Sequence, residues 1–193
     1  MRVVAGRLRG RTIRAPRGNE TRPTAARVRE ALFSLLGPTE ALDVVDLYAG
    51  SGALAIEALS RGARRALLVE RSTAALACLR DNLQRLDLID VSIILARDVH
   101  RSLPRVIDFG KVDLVLCDPP YSQLSRALGF LGRLTEAGCL KDHARIVLEH
   151  AARDRDIVPP HPLLVVGAQR RWGDTGVTVL SYQDPIDDPR TGN

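Results

Sequence analysis

From residue 42 onward, short apolar runs alternate with segments whose leucines recur at helical spacing, and that rhythm leaves few folds open. Residues 42–47, 66–69, 91–95 and 112–117 are near-continuous in apolar side chains, as parallel strands buried on both faces require. Between them, 54–61 and 73–86 read as helices, the second with Leu76, Leu79, Leu83 and Leu86 on one stripe. A helix over 124–135 and a strand over 145–149 follow. Then come two strands, 163–169 and 177–182, separated by Trp172-Gly173-Asp174-Thr175-Gly176, a hairpin turn by composition. The expectation is an α/β doubly wound sheet of seven strands, mostly parallel and ending antiparallel.

The first thirty residues are of another kind. They hold nine arginines against Glu20 and Glu30, whereas the whole chain carries a net charge of only +5. A field concentrated in this way attracts polyanions. Residues 2–5 and 11–14 read as a basic β-hairpin around a glycine-bearing turn at 6–10. Thr24 is a candidate cap for a helix to about Leu36, with Val28, Leu32 and Leu35 on one face and Gly37-Pro38 ending it. The expected division is a hairpin extension at 1–20, the main domain at 21–184 and a flexible tail at 185–193.

Cys78, Cys117 and Cys139 are odd in number and widely spaced, which fits neither a disulfide framework nor a zinc site, so no metal is expected. No run approaches the roughly 20 apolar residues that cross a bilayer. A cytoplasmic monomer without membrane contact is expected.

Two motifs fall at strand ends, where open α/β sheets bind ligands. Asp46-Leu47-Tyr48-Ala49-Gly50-Ser51-Gly52-Ala53 joins the first strand to a helix, and its glycines let backbone approach a ligand closely. Glu70 ends the second strand, placed to accept hydrogen bonds from ribose hydroxyls; Asp98 follows the third and is a candidate for an adenine amine. An adenosine-containing ligand is implied. Gly50-x-Gly52-x-x-Ala55 also satisfies a dinucleotide fingerprint, so an NAD-dependent oxidoreductase stays open at this point.

Asp118-Pro119-Pro120-Tyr121 follows the fourth strand. A carboxylate and a proline carbonyl on stiff backbone can accept both hydrogens of an exocyclic base amine, localising a lone pair otherwise spread into the ring. Tyr121 would stack on an unstacked base. The same tetrapeptide suits the amines of adenine and cytosine, so a DNA adenine or cytosine methyltransferase is the competing reading. Against it stands the lack of room for a separate target-recognition domain.

These blocks resemble Rossmann-like class I methyltransferases, and more narrowly the RsmD family of bacterial 16S rRNA guanine-N2 methyltransferases. The likeness runs in order from Arg2-Val3-Val4-Ala5-Gly6 and Arg9-Gly10-Arg11 through Thr21-Arg22-Pro23-Thr24 and Arg27-Val28-Arg29-Glu30-Ala31-Leu32-Phe33. It continues through the glycine loop and Glu57-Ala58-Leu59-Ser60-Arg61-Gly62 to Asp118-Pro119-Pro120-Tyr121. The resemblance implies S-adenosylmethionine as cofactor, held by Asp46, Tyr48, Ala49, Gly50, Ser51, Gly52, Glu70, Arg71 and Asp98, with residues 118–121 holding a guanine. It also implies 16S rRNA, in the small subunit or its assembly intermediate, as partner. Arg7, Arg9, Arg11, Arg14, Arg22 and Arg27 are then candidates for its phosphates. Arg170, Arg171 and Trp172 read as a hairpin packing cluster.

Overall fold

The computed structural model describes residues 1–16, 24–154 and 156–183. The seven strands are β1 (Asp43–Leu47), β2 (Arg65–Glu70), β3 (Ser92–Ala96), β4 (Val112–Cys117), β5 (Leu140–Ala151), β6 (Leu164–Trp172) and β7 (Thr175–Tyr182). The helices are α1 (Thr24–Leu36), α2 (Ala53–Ser60), α3 (Thr73–Arg85), α4 (Leu103–Phe109) and α5 (Leu124–Glu136). One sheet takes all the strands in the order β3-β2-β1-β4-β5-β7-β6. Only β7 runs against its neighbours, pairing antiparallel with both β5 and β6. This is the Rossmann-like arrangement that the alternating pattern implied.

Strand alternation sends successive side chains to opposite faces, and each face builds its own core. Val44, Leu68 and Leu114 pack with Leu32 and Phe33 of α1, Ile56 of α2 and Leu79 of α3. Val45, Leu67 and Val115 pack on the other face with Phe109 of α4 and Phe130 and Leu134 of α5. The strand order reverses between β1 and β4, and the crevice opened at their carboxyl ends receives the Gly50 loop and Asp118 together.

Three readings of the sequence change. β3, expected to be buried, is an edge strand paired only to β2, and its Ile93 is 53% exposed. α4 was not legible because it is only about two turns long and its periodicity rests on Val106 and Phe109 alone. β5 begins at Leu140, five residues before its apolar run, because Lys141 is drawn into ion pairs with Asp43 (3.1 Å) and Asp113 (2.7 Å) at the amino end of the sheet. Trp172 is partly buried against the first core, as a packing residue should be, while Arg170 and Arg171 are exposed.

The N-terminal segment keeps its hairpin turn but reduces its ladder to one bridge, Arg2 to Thr12. It docks on its own domain: Val3, Leu8 and Ile13 are buried in the first core. Both carboxylate oxygens of the fully buried Glu57 accept from the chain, from Val4 N–H (2.8 Å) and Ala5 N–H (2.9 Å). Arg7 N–H donates to the Ser60 carbonyl (2.8 Å), and Asn82 holds both the N–H and the carbonyl of Arg14. Gly6 sits at φ +80° with an added Cβ only 1.9 Å from the Ser60 carbonyl oxygen, so no other residue fits that contact. The expected flexible tail at 185–193 lies outside the described residues.

Candidate active site

Two cavities of about 550 Å³ each meet at the carboxyl ends of β1, β2, β4 and β5, sharing Tyr48, Glu70, Ser72, Asp118, Tyr121 and Glu149. Arg71, Arg97, Val99, Pro119 and Pro120 are among the other residues that line the first. The second is walled by Asp46, Ala49, Gly50 and Ser51, and on its far side by Met1, Val28 and Arg29. The N-terminal segment and α1 therefore contribute directly to the site's enclosure.

Within the glycine loop, Gly50 (φ +56°) presents an open side and donates its N–H to Glu70 Oε2 at 2.8 Å. The other oxygen of Glu70 accepts from Arg71 and Ser72 N–H, both at 2.7 Å, so backbone on two sides fixes this carboxylate at the end of β2. Gly52 does not line either cavity. At φ +81°, its missing Cβ is what admits Leu79 of α3, since an added carbon would lie 2.5 Å from Leu79 Cδ1. Tyr48 is held at φ +63°, a conformation a bulky residue adopts only under constraint, with its hydroxyl 3.3 Å from His100 Nε2.

Asp46 is buried and accepts Ala55 N–H at 3.2 Å, at the start of α2. Desolvation, joined by the nearby charges of Asp118 and Glu70, pushes its carboxyl up to about 8. Asp98 borders neither cavity: it caps the turn after β3 by accepting His100 N–H (2.9 Å) and pairs with Arg71 (3.1 Å), the residue that does reach the first cavity.

Asp118 behaves differently from these fixed acids. It caps no helix, its side chain makes no hydrogen bond or ion pair to another described residue, and it faces the solvent of the cavity while protein surrounds its other sides. Desolvation pushes it up to about 6. Pro120 contributes less than the tetrapeptide suggested, because its carbonyl already accepts Gln123 N–H at 2.7 Å. That leaves Pro119 as the carbonyl available beside Asp118. Tyr121 is 40% exposed and borders both cavities, as a stacking surface must.

Reasoning from sequence passed over Glu149, which borders both cavities from the end of β5. The signal was present: an acid closing an apolar strand, as Glu70 does. His100, Arg97 and Arg29 were also missed, because only packing brings them to the site. Of the candidate arginines, Arg7, Arg9, Arg11, Arg14 and Arg27 are exposed. Arg11 and Arg14 are already engaged with α3, at the Arg85 carbonyl and Asp81 respectively. Arg22 lies outside the described residues.

Comparison with known proteins shows which chains this one is similar to. The family model described as "Conserved hypothetical protein 95" matches residues 1–181. The Bacillus subtilis protein YlbH is 34% identical over 186 residues, 93% of this chain and 97% of that protein. The ribosomal RNA small subunit methyltransferase D of Escherichia coli is 33% identical over 156 residues, 77% of this chain and 74% of the relative. The solved structure of yhhF from Escherichia coli superposes with a TM-score of 0.79 at 26% identity, covering 95% of this chain and 98% of its own.

Proposed function

This chain belongs to the RsmD family, and on that premise we propose that it methylates the exocyclic N2 amine of a guanine in the 16S rRNA of the small ribosomal subunit or its assembly intermediate. The observation that carries the reading is Asp118, an unpartnered carboxylate at the rim of the sheet, in one cavity with the Glu70 carboxylate and the exposed ring of Tyr121.

The donor set fits S-adenosylmethionine. Glu70 offers a rigid acceptor for ribose hydroxyls, the open side of Gly50 admits close backbone approach, and the cavities are large enough for a nucleoside beside a base. Bound there, the cofactor supplies an electrophilic sulfonium methyl. Asp118 and the Pro119 carbonyl accept the two amine hydrogens and turn the nitrogen lone pair out of conjugation. Asp118 would then take the proton that the amine nitrogen loses on gaining the methyl group, the electron pair of the S–C bond remaining with the cofactor. The carboxylates of Glu70 and Asp118 surround that developing positive charge with fixed negative potential. Tyr121 stacks on the extruded base.

The test is methyl transfer from radiolabelled S-adenosylmethionine to small subunits from a strain lacking the enzyme, with the modified nucleoside identified by mass. Calorimetry should show S-adenosylhomocysteine bound and NAD not bound. Tight NAD binding without the homocysteine product, or label confined to DNA, overturns the proposal.

The exposed arginines Arg7, Arg9 and Arg27, which make no side-chain pairing with described residues, are proposed to hold RNA phosphates. Changing Arg7 and Arg9 together to alanine is expected to flatten the salt dependence of subunit binding by roughly one unit of slope per lost phosphate contact. An unchanged slope would assign these charges to solubility alone.

A further inference from the structure

Glu149 and Asp118 form a pair that the register of the sheet creates. Cys117 of β4 stands opposite Leu148 of β5 in a parallel ladder, so the residues that follow, Asp118 and Glu149, stand side by side at the rim. Neighbouring strands lie roughly 4.8 Å apart, and residues paired across a parallel ladder project to the same face. Both carboxyls border both cavities, next to Tyr121. Like Asp118, Glu149 makes no side-chain hydrogen bond or ion pair to another described residue, although it is largely enclosed by protein. A carboxyl desolvated without a partner is costly to maintain and calls for a ligand that satisfies it.

We propose that Glu149 reads the target base, accepting a hydrogen bond from guanine N1–H and donating one to guanine O6 while Asp118 holds the adjacent N2 amine. This rests on the methyl-transfer reading above and adds the device that selects the base. Desolvation raises both carboxyls and the charge of one disfavours ionisation of the other, so the side-by-side pair holds one proton near neutrality, carried by Glu149, the less exposed of the two. One neutral and one anionic acid, side by side, complement one edge only. Reading away from the methylated nitrogen, that edge must present an amine, a ring N–H and a carbonyl oxygen.

Guanine has this order. Adenine, with its amine on Asp118, offers a ring acceptor and then a C–H, and satisfies one of the two bonds of Glu149. Cytosine offers two acceptors in succession and sets its O2 against the carbonyl of Glu149. A site built to hydrogen-bond a polar edge rejects bases that leave its groups unpaired, which gives discrimination that shape alone cannot supply.

The experiment uses the full chain, radiolabelled S-adenosylmethionine and small subunits from a strain lacking the enzyme. Glu149→Leu, similar in size but without polar atoms, should lower kcat/KM by about 30- to 100-fold while S-adenosylhomocysteine affinity stays within about threefold. Glu149→Gln, which keeps one donor and one acceptor in place, should recover turnover to within about fivefold of the parent. Rescue by Gln is what a residue that merely fills space would not show. Undiminished turnover in Glu149→Leu overturns the proposal, as does a Gln variant no better than Leu. The nucleoside product of the parent enzyme supplies a result independent of either variant's folding. A methylated guanosine supports guanine reading, and a methylated adenosine or cytidine refutes it while leaving methyl transfer standing. No transfer at all to RNA removes the underlying function itself.

Discussion

Changing Asp118 to alanine is expected to lower methyl transfer by about 100- to 1000-fold while S-adenosylhomocysteine affinity changes no more than a few fold. The two effects separate because Asp118 faces the cavity without a partner, whereas the backbone of the glycine loop is tied to Glu70 and owes nothing to residue 118. The variant should also melt no lower than the parent. Desolvation raises the Asp118 carboxyl to about 6, above its usual range, so its ionised form opposes folding at neutral pH and its removal relieves the fold. Since the ionised form accepts the amine hydrogens, transfer by the parent enzyme should decline as pH falls through about 6, by roughly tenfold per unit further down. Single-turnover rates across pH 5 to 8, with S-adenosylhomocysteine calorimetry on the variant, check each part. An alanine variant that turns over within tenfold of the parent would remove Asp118 from the chemistry.

Changing Glu57 to alanine is expected to be the most destabilising single substitution, on the order of 3–5 kcal/mol. Glu57 is fully buried and gathers four groups: the N–H groups of Val4 and Ala5, the guanidinium of Arg61 at 2.8 Å and that of the buried Arg29 at 3.4 Å. Alanine leaves a desolvated arginine without its counter-charge and two backbone donors without an acceptor, and each loss is expensive inside a protein. For a domain of this size the melting temperature should fall by roughly 10 °C or more. Residues 1–16 should become susceptible to proteolysis in the native state, because Glu57 fastens that segment to α2. Since Arg29 and Met1 wall the second cavity, cofactor affinity should fall in parallel. A melt within about 2 °C of the parent would show that hydrophobic docking of Val3, Leu8 and Ile13 suffices.

Some features of the chain were written into short stretches and could be read there. The apolar runs of β1, β2 and β4, the leucine stripe of α3 and the hairpin before β7 are each specified by residues close in sequence. The same holds for the glycine loop after β1, for Glu70 at the end of β2 and for the proline tetrapeptide after β4, which local chemistry places at strand ends. Family membership followed from those blocks taken in order.

Other features had no local signature. Gly50 and Gly52 look equivalent in the sequence, yet one borders the ligand cavity and the other makes room for Leu79, a difference set by how α3 crosses the loop. Asp98 reads as a ligand from its place after the third strand, and only the structure shows that its carboxylate also caps the turn there and pairs with Arg71. The arginine-rich start reads as an arm reaching outward, and only the buried acid of α2, more than fifty residues later, reveals that its backbone is bound inward while most of its charges stay outside.

What the sequence determined by itself is therefore the identity of the elements and the chemistry at their ends, because periodicity and turn geometry act over a few residues. Which of those ends meet was decided by the tertiary structure. Strand order and register bring Asp118 beside Glu149 although thirty residues separate them, and partial desolvation of both then raises each carboxyl above its free value. Proximity between distant residues and the loss of water around them are properties of packing, and no local pattern encodes either.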